Sequence, residues 1–392
     1  MRVNLLVSAV LLCTLLAVAP ASAAVGWAVD LGAPAAGSTN VTTDDGVRLG
    51  SGDNRAASAE SGLRTGFAVY PHRMATPANA FRAVVQSDVP AGTELAVDVR
   101  GRAGAQWTEW AEIRPDQPGV LPETVTDIEV RAMLSAPPGA GSPALTALSV
   151  VPATVPAGPA RTATAGLSYP VFATREGLVG HTTANGHRIV ARDHFVALPS
   201  RRGLSGRDSG DYSVRVCAAN GRCAWAPVWD VGPWNTRDDY WAGPGFRQEW
   251  LDLPQGKPAS QAAYQDGYNG GKDQFGRRVA NPAGIDLADG TFWDGLKLKN
   301  NSWVTVTYQW TGANPAGVVH TPGDTLNVRS APNSQAAIVG LAGNRAQVRI
   351  ECAVAGEQVA GTQGATNGWF RLAAGMYVSA AYVSGGRTAP AC

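Results

Sequence analysis

Short runs in which apolar and polar residues alternate recur along the chain, among them Glu94-Leu-Ala-Val-Asp-Val-Arg100, Asp127-Ile-Glu-Val-Arg-Ala-Met133 and Trp303-Val-Thr-Val-Thr-Tyr308, and Gly and Pro cut them at short intervals. A period of two is the period of a half-buried strand, and close punctuation leaves no room for long helices. The 46 Gly and 26 Pro in 392 residues fit the same reading, and 45% apolar residues is too many for a disordered chain. The fold class expected is therefore mainly β, with two or three domains for this length. With 32 basic against 31 acidic residues, the chain lacks the surplus of positive charge that a nucleic-acid reader or an anionic-membrane binder carries.

The first residues set the expected compartment. Arg2 precedes an apolar run from Leu5 to Val18, and Ala21-Ser22-Ala23 forms a small-residue cleavage site, so residues 1–23 read as a secretory signal peptide. No later stretch is long and apolar enough to span a bilayer. A secreted, extracellular, monomeric protein without a membrane span is expected. Four cysteines remain, an even number in an oxidising compartment. Cys217 and Cys223 flank Asn220-Gly221, a hairpin dipeptide, and are expected to pair across that hairpin. Cys352 then takes Cys392 and pins the C-terminal tail.

Composition divides the chain into segments. Residues 24–151 read as an all-β accessory domain, a β-sandwich. Trp107 and Trp110 would point to opposite faces of one strand, so one of them is either free to stack on a sugar ring or covers the sandwich edge. Residues 152–168 are rich in Pro, Ala and Thr and read as a linker, which implies that its neighbours need not touch. Residues 169–312 hold eight of the twelve tryptophans and read as a small closed barrel interrupted by an aromatic insertion at 235–282. Residues 318–392 form a terminal unit.

The candidate chemistry lies in the barrel. Asp230 ends a strand between Trp229 and Trp234. Partial desolvation there would raise its pKa toward the range of a proton donor, which glycosidic cleavage requires. Equally, an Asp before Gly-Pro accepts backbone N–H bonds at a tight turn. Thr183 would orient Asp230 or a sugar hydroxyl, or make an ordinary turn hydrogen bond. Asp286 would either raise the pKa of Asp230 by like-charge repulsion or cap the segment after it. Trp234, Tyr240 and Trp241, nearest Asp230 in the insertion, are the candidate groove wall for substrate, while the other insertion aromatics are expected to form its core. His181, His187 and His194 match no metal-ligand spacing, so no metal and no cofactor are expected.

Five short segments occur in a familiar order: GHTTANG at 180–186, VALP at 196–199, NGR at 220–222, WDVGPW at 229–234 and GIDLADGTF at 284–292. In this order they resemble the double-psi β-barrel of the rare lipoprotein A, expansin and barwin group. Three departures accompany the match: Val231 stands where the group has Arg, the insertion replaces a short connection, and His194 lies one residue further from Leu-Pro than usual. The resemblance implies that Asp230 is the acid and base of a lytic-transglycosylase-like enzyme acting on peptidoglycan, or else part of an expansin-like surface that binds polysaccharide without turnover. Thr325-Leu-Asn-Val-Arg-Ser-Ala-Pro-Asn333, with Gly368-Trp-Phe-Arg-Leu372 and Gly375-Met-Tyr-Val-Ser379, resembles bacterial SH3-like domains, which implies a peptidoglycan-binding module. Leu63 to Arg82 resembles accessory domains ahead of secreted actinobacterial hydrolases. The expected partner is therefore cell-wall peptidoglycan or another polysaccharide; a secreted protein-docking or inhibitor factor is the other class left open, and so is whether the chain is an enzyme.

Overall fold

The computed structural model describes residues 26–55, 62–104, 106–156, 166–323 and 325–392; the expected signal peptide and most of the expected linker lie outside them. The protein is mainly β. No helix among the described residues is long and apolar enough to cross a membrane.

The N-terminal part departs from a two-layer sandwich. Its nine strands belong to one antiparallel sheet that curls into a half-barrel. The reason is the 25-residue strand Arg64–Asp88. Its first part pairs with Asp127–Ala136 and its last part with Ala144–Ala153, with register breaks around Ala78 between them. One bent strand thus serves both halves of the sheet, bulges supplying the bend. Tyr70, Phe81, Val99, Val130, Leu134 and Leu145 fill the concave face.

The central part is a closed barrel of six strands. Ser168–Arg175 pairs with Ser302–Tyr308, which pairs with Ser213–Ala218, then Cys223–Val231, Val196–Leu198 and Ala283–Leu287, which returns to the first. Two of these contacts are parallel: Val196–Leu198 with Cys223–Val231, and Ser168–Arg175 with Ala283–Leu287. Small and β-branched side chains from every strand meet inside, including Val171, Val196, Val214, Ala226, Ile285 and Val306. Closure leaves no free edge in the ring.

Both expected disulfides are present, Cys217–Cys223 and Cys352–Cys392. The first joins directly opposed residues of a hairpin whose turn holds Gly221 at positive φ. Because the hairpin is already fixed and the closed loop is short, replacing both Cys217 and Cys223 by Ser should cost only about 2 kcal/mol in denaturant titrations.

In the insertion, Ala259–Asp266 forms a short helix, stopped by Gly267 in the left-handed region. The C-terminal strands continue the barrel sheet: Cys223–Trp225 pairs in parallel with Gly340–Ala342.

The expectation that the linker keeps its neighbours apart is overturned. Arg131 of the half-barrel pairs with Asp98 and also donates to the Arg201 carbonyl of the barrel. Glu94 meets Arg201 and Arg237, Arg100 meets Asp211, and Tyr212 Oη donates to the Thr108 carbonyl at 2.6 Å. Phe67, Val69, Trp110 and Met133 join the barrel's own apolar core. A linker's composition sets its stiffness and says nothing about the faces its neighbours carry.

Candidate active site

Alternation along the strands fixes where the carboxylates point. Val196 and Leu198, Ile285 and Leu287, and Val171 and Ala173 face the barrel core. Ala197 and Asp286, each between two of these, and Thr174, the residue after Ala173, therefore face outward. Asp230 lies opposite Ala197 on one side and Asp286 opposite it on the other, after a register shift between Val196 and Ala197. Two strand spacings thus separate the backbones of the two aspartates, about 10 Å.

A third acid completes the group. Glu176 follows the strand Ser168–Arg175, its N–H donating to the Leu287 carbonyl. Its buried carboxyl neighbours that of Asp230. Burial first, then the charges of Asp230 and Asp286, push it well above the usual carboxylate range. Burial pushes Asp286 up to about 7, against a hydrogen bond donated by the Thr174 hydroxyl. Glu176 is thus a like-charge neighbour of both Asp230 and Asp286, one that no motif marked. Asp286 does not cap the following segment: it lies within the strand Ala283–Leu287, and the short helical turn begins only at Thr291.

The turn at 180–186 closes over this group. Asp230 Oδ1 accepts the N–H of Ala184 at 2.9 Å and that of Val231 at 2.7 Å, and the residue is 1% exposed. The turn thus reaches Asp230 through the backbone of Ala184. The Thr183 hydroxyl instead donates to Asn185 Oδ1 and accepts from the His187 N–H, the ordinary turn role. His187 pairs with Asp193 at 2.6 Å and packs on Trp229, which also stacks with Phe195. Ile189, Phe195 and Ala288 make a small apolar cluster beneath the same loop.

The half-barrel holds the turn down from outside. Arg55 N–H donates to the Thr182 carbonyl, and Thr182 Oγ1 donates to Asp53 at 2.7 Å. Gly186 has φ +89°, and a Cβ there would collide with Thr39. Only glycine permits both that backbone conformation and that approach.

The insertion does not supply a groove wall beside Asp230, correcting that expectation. Tyr240 and Trp241 are fully buried. Trp241 stacks on Tyr308 at 4.9 Å, its indole N–H donates to Glu109 of the half-barrel at 2.9 Å, and Tyr240 Oη donates to the Gly284 carbonyl. Trp234, 9% exposed, packs with Ala263, Val279 and Ala283 and donates to Asn281. Tyr240 and Trp241 thus join the barrel's core beside Tyr308 and Trp310, and Trp234 fills a smaller cluster within the insertion.

Chemically, the pair Glu176 and Asp230 can share one proton, and Asp286 adds a second protonated carboxyl near neutrality. This is proton-donor chemistry enclosed by a tethered turn. Glu176 carries no motif; its only sequence signal is a carboxylate at a strand end before Gly177.

Residues 167–307 match a family described as a domain of unknown function (DUF8814), a match that covers the six barrel strands and the insertion. No curated protein matches the chain.

Proposed function

We propose that this is a secreted, cell-wall-associated protein that holds peptidoglycan or a related polysaccharide without cutting it. The closed six-stranded ring with two parallel contacts supports reading residues 169–312 as the double-psi barrel of the rare lipoprotein A and expansin group. The small all-β terminal unit supports the SH3-like reading of residues 318–392. The observation that carries the non-cleaving side of the proposal is the state of Asp230: 1% exposed, bonded to two backbone N–H groups and roofed by a turn that the half-barrel clamps. A glycosidic oxygen needs direct contact with its acid. A second reading, lytic-transglycosylase-like cleavage by Asp230, is favoured by the buried carboxyls of Glu176 and Asp286, both raised above the usual carboxylate range. Co-sedimentation of the mature chain with purified peptidoglycan, chitin and cellulose tests the binding. Retention on at least one polymer is expected, and retention on none removes the proposal.

A further inference from the structure

A cavity of about 550 Å³ lies between the half-barrel and the central barrel, away from the carboxyl group described above. Trp107 and Glu109 line it from the half-barrel, Phe246 and Gln255 from the insertion, and Trp310 and Thr311 from the end of the barrel. Its volume is that of a small-ligand site, and a junction between domains is where such sites concentrate.

The walls are fixed in place. Glu109 accepts the indole N–H groups of Trp241 at 2.9 Å and Trp310 at 2.6 Å. Gln255 donates to the Trp241 carbonyl, and Gln106, which also lines the cavity, accepts from Arg349 at 2.6 Å. Trp107 is half-buried, backed by the Arg100 guanidinium 4.5 Å from its ring centre, and Phe246 is 46% exposed. The cavity therefore combines aromatic rings with carboxylate, amide and hydroxyl groups held by other contacts.

The charge pattern selects among ligands. Arg202 is the cation in the wall. It is committed to Asp239, the Trp110 carbonyl and the Phe246 carbonyl. Glu109 and Glu123 also line the cavity, so an anionic ligand would meet two carboxylates in the wall, the exposed Arg102 guanidinium, 5.4 Å from the Trp107 ring centre, standing outside the lining. A ligand with apolar ring faces and many neutral hydroxyls satisfies both the aromatic and the amide or carboxylate groups. We propose that this cavity is a binding site for a neutral oligosaccharide of roughly two or three pyranose rings, a drug-sized ligand. Trp107 and Phe246 contact the ring faces, and Glu109, Gln106 and Gln255 contact the hydroxyls.

The site is separate from the carboxyl group, and the proposal stands on its own geometry; it shares with the proposed function only the polymer class. The full-length mature chain is titrated with chitotriose and with cellotriose, followed by tryptophan fluorescence and by isothermal calorimetry. Saturable binding of at least one trisaccharide is expected. Trp107→Ala and Phe246→Ala should each weaken it about tenfold, the loss of one stacking contact. Val190→Ala, at an exposed position on the far loop, should leave it unchanged. No saturable binding of either sugar, or binding that survives both cavity substitutions in variants with unchanged thermal unfolding, overturns the proposal. Retention on polymer with no trisaccharide binding would reject this site while leaving the wall association standing. Trisaccharide binding without retention on any polymer would do the reverse.

Discussion

Replacing Arg131 by Met should destabilise the protein by about 3–5 kcal/mol, the cost of removing one partner of a buried ion pair. Arg131 and Asp98 are each 1% exposed, and two guanidinium nitrogens, Nε at 3.1 Å and Nη2 at 2.8 Å, converge on the same carboxylate oxygen. The substitution leaves the Asp98 charge buried without its cation. It also removes the hydrogen bond to the Arg201 carbonyl, which joins the half-barrel to the central barrel. Arg131 further lies 4.3 Å from the ring centre of Trp110, so packing is lost with the charge. Urea unfolding measures the effect. The double variant Arg131→Met with Asp98→Leu should recover most of the loss, because it removes the stranded charge. A single variant within 1 kcal/mol of the parent would show that the pair does not hold the two parts together.

Stability should be greatest near pH 4–5 and fall as the pH rises through neutrality, the reverse of many soluble proteins. The carboxyl of Asp286 ionises at about 7 in the fold, raised by burial, against an ordinary 3.8. Its stabilisation is therefore complete below about pH 4 and is lost as the pH climbs to 7, on the order of 4 kcal/mol for this group alone. Glu176 is raised by burial and by Asp230 and Asp286, and acts in the same direction. Asp238, pushed up to about 6 by burial against the pull of Arg247, adds to the trend. Glu94 sets the acid limb. Burial raises it, but Arg201 and Arg237 outweigh that and hold it at about 2, so its contribution disappears as the pH falls from about 4.5. Thermal unfolding followed from pH 3 to pH 9 reads the curve. Asp286→Asn and Glu176→Gln should each flatten the fall between pH 5 and pH 8. A curve that rises through that interval in the parent, or one that either substitution leaves unaltered, contradicts the account of the buried acids.

What the sequence made legible is what depends on neighbours along the chain. Alternation, Gly and Pro placement and the hairpin dipeptide Asn220-Gly221 were enough for strands, for a barrel and for both cysteine pairings. The position of Asp230 at a strand end was equally local. The closure of its site was not. Glu176 meets Asp230 only because the strand it follows lies parallel to the strand of Asp286, more than a hundred residues away. The turn at 180–186 is held by Asp53 and Arg55, from a part of the chain that composition assigned to a separate accessory domain. Tyr240 and Trp241 look the same in sequence whether they line a groove or fill a core. What decides between the two is that Glu109 accepts the indole N–H of Trp241 while Tyr308 stacks on its ring, a long-range fact. The bent strand Arg64–Asp88 is a similar case: strand patterning in this part of the chain cannot tell two stacked layers from one curled sheet.

The central claim is that the wall polymer is held and not cut, because the acid at position 230 is closed to it. The most direct measurement is chromatography with mass detection of the soluble fragments released from purified peptidoglycan by the parent protein and by Asp230→Asn, at pH 5 and pH 7. The account predicts no anhydro-muropeptides from either protein at either pH. Anhydro-muropeptides that accumulate with the parent protein and vanish with Asp230→Asn would contradict it.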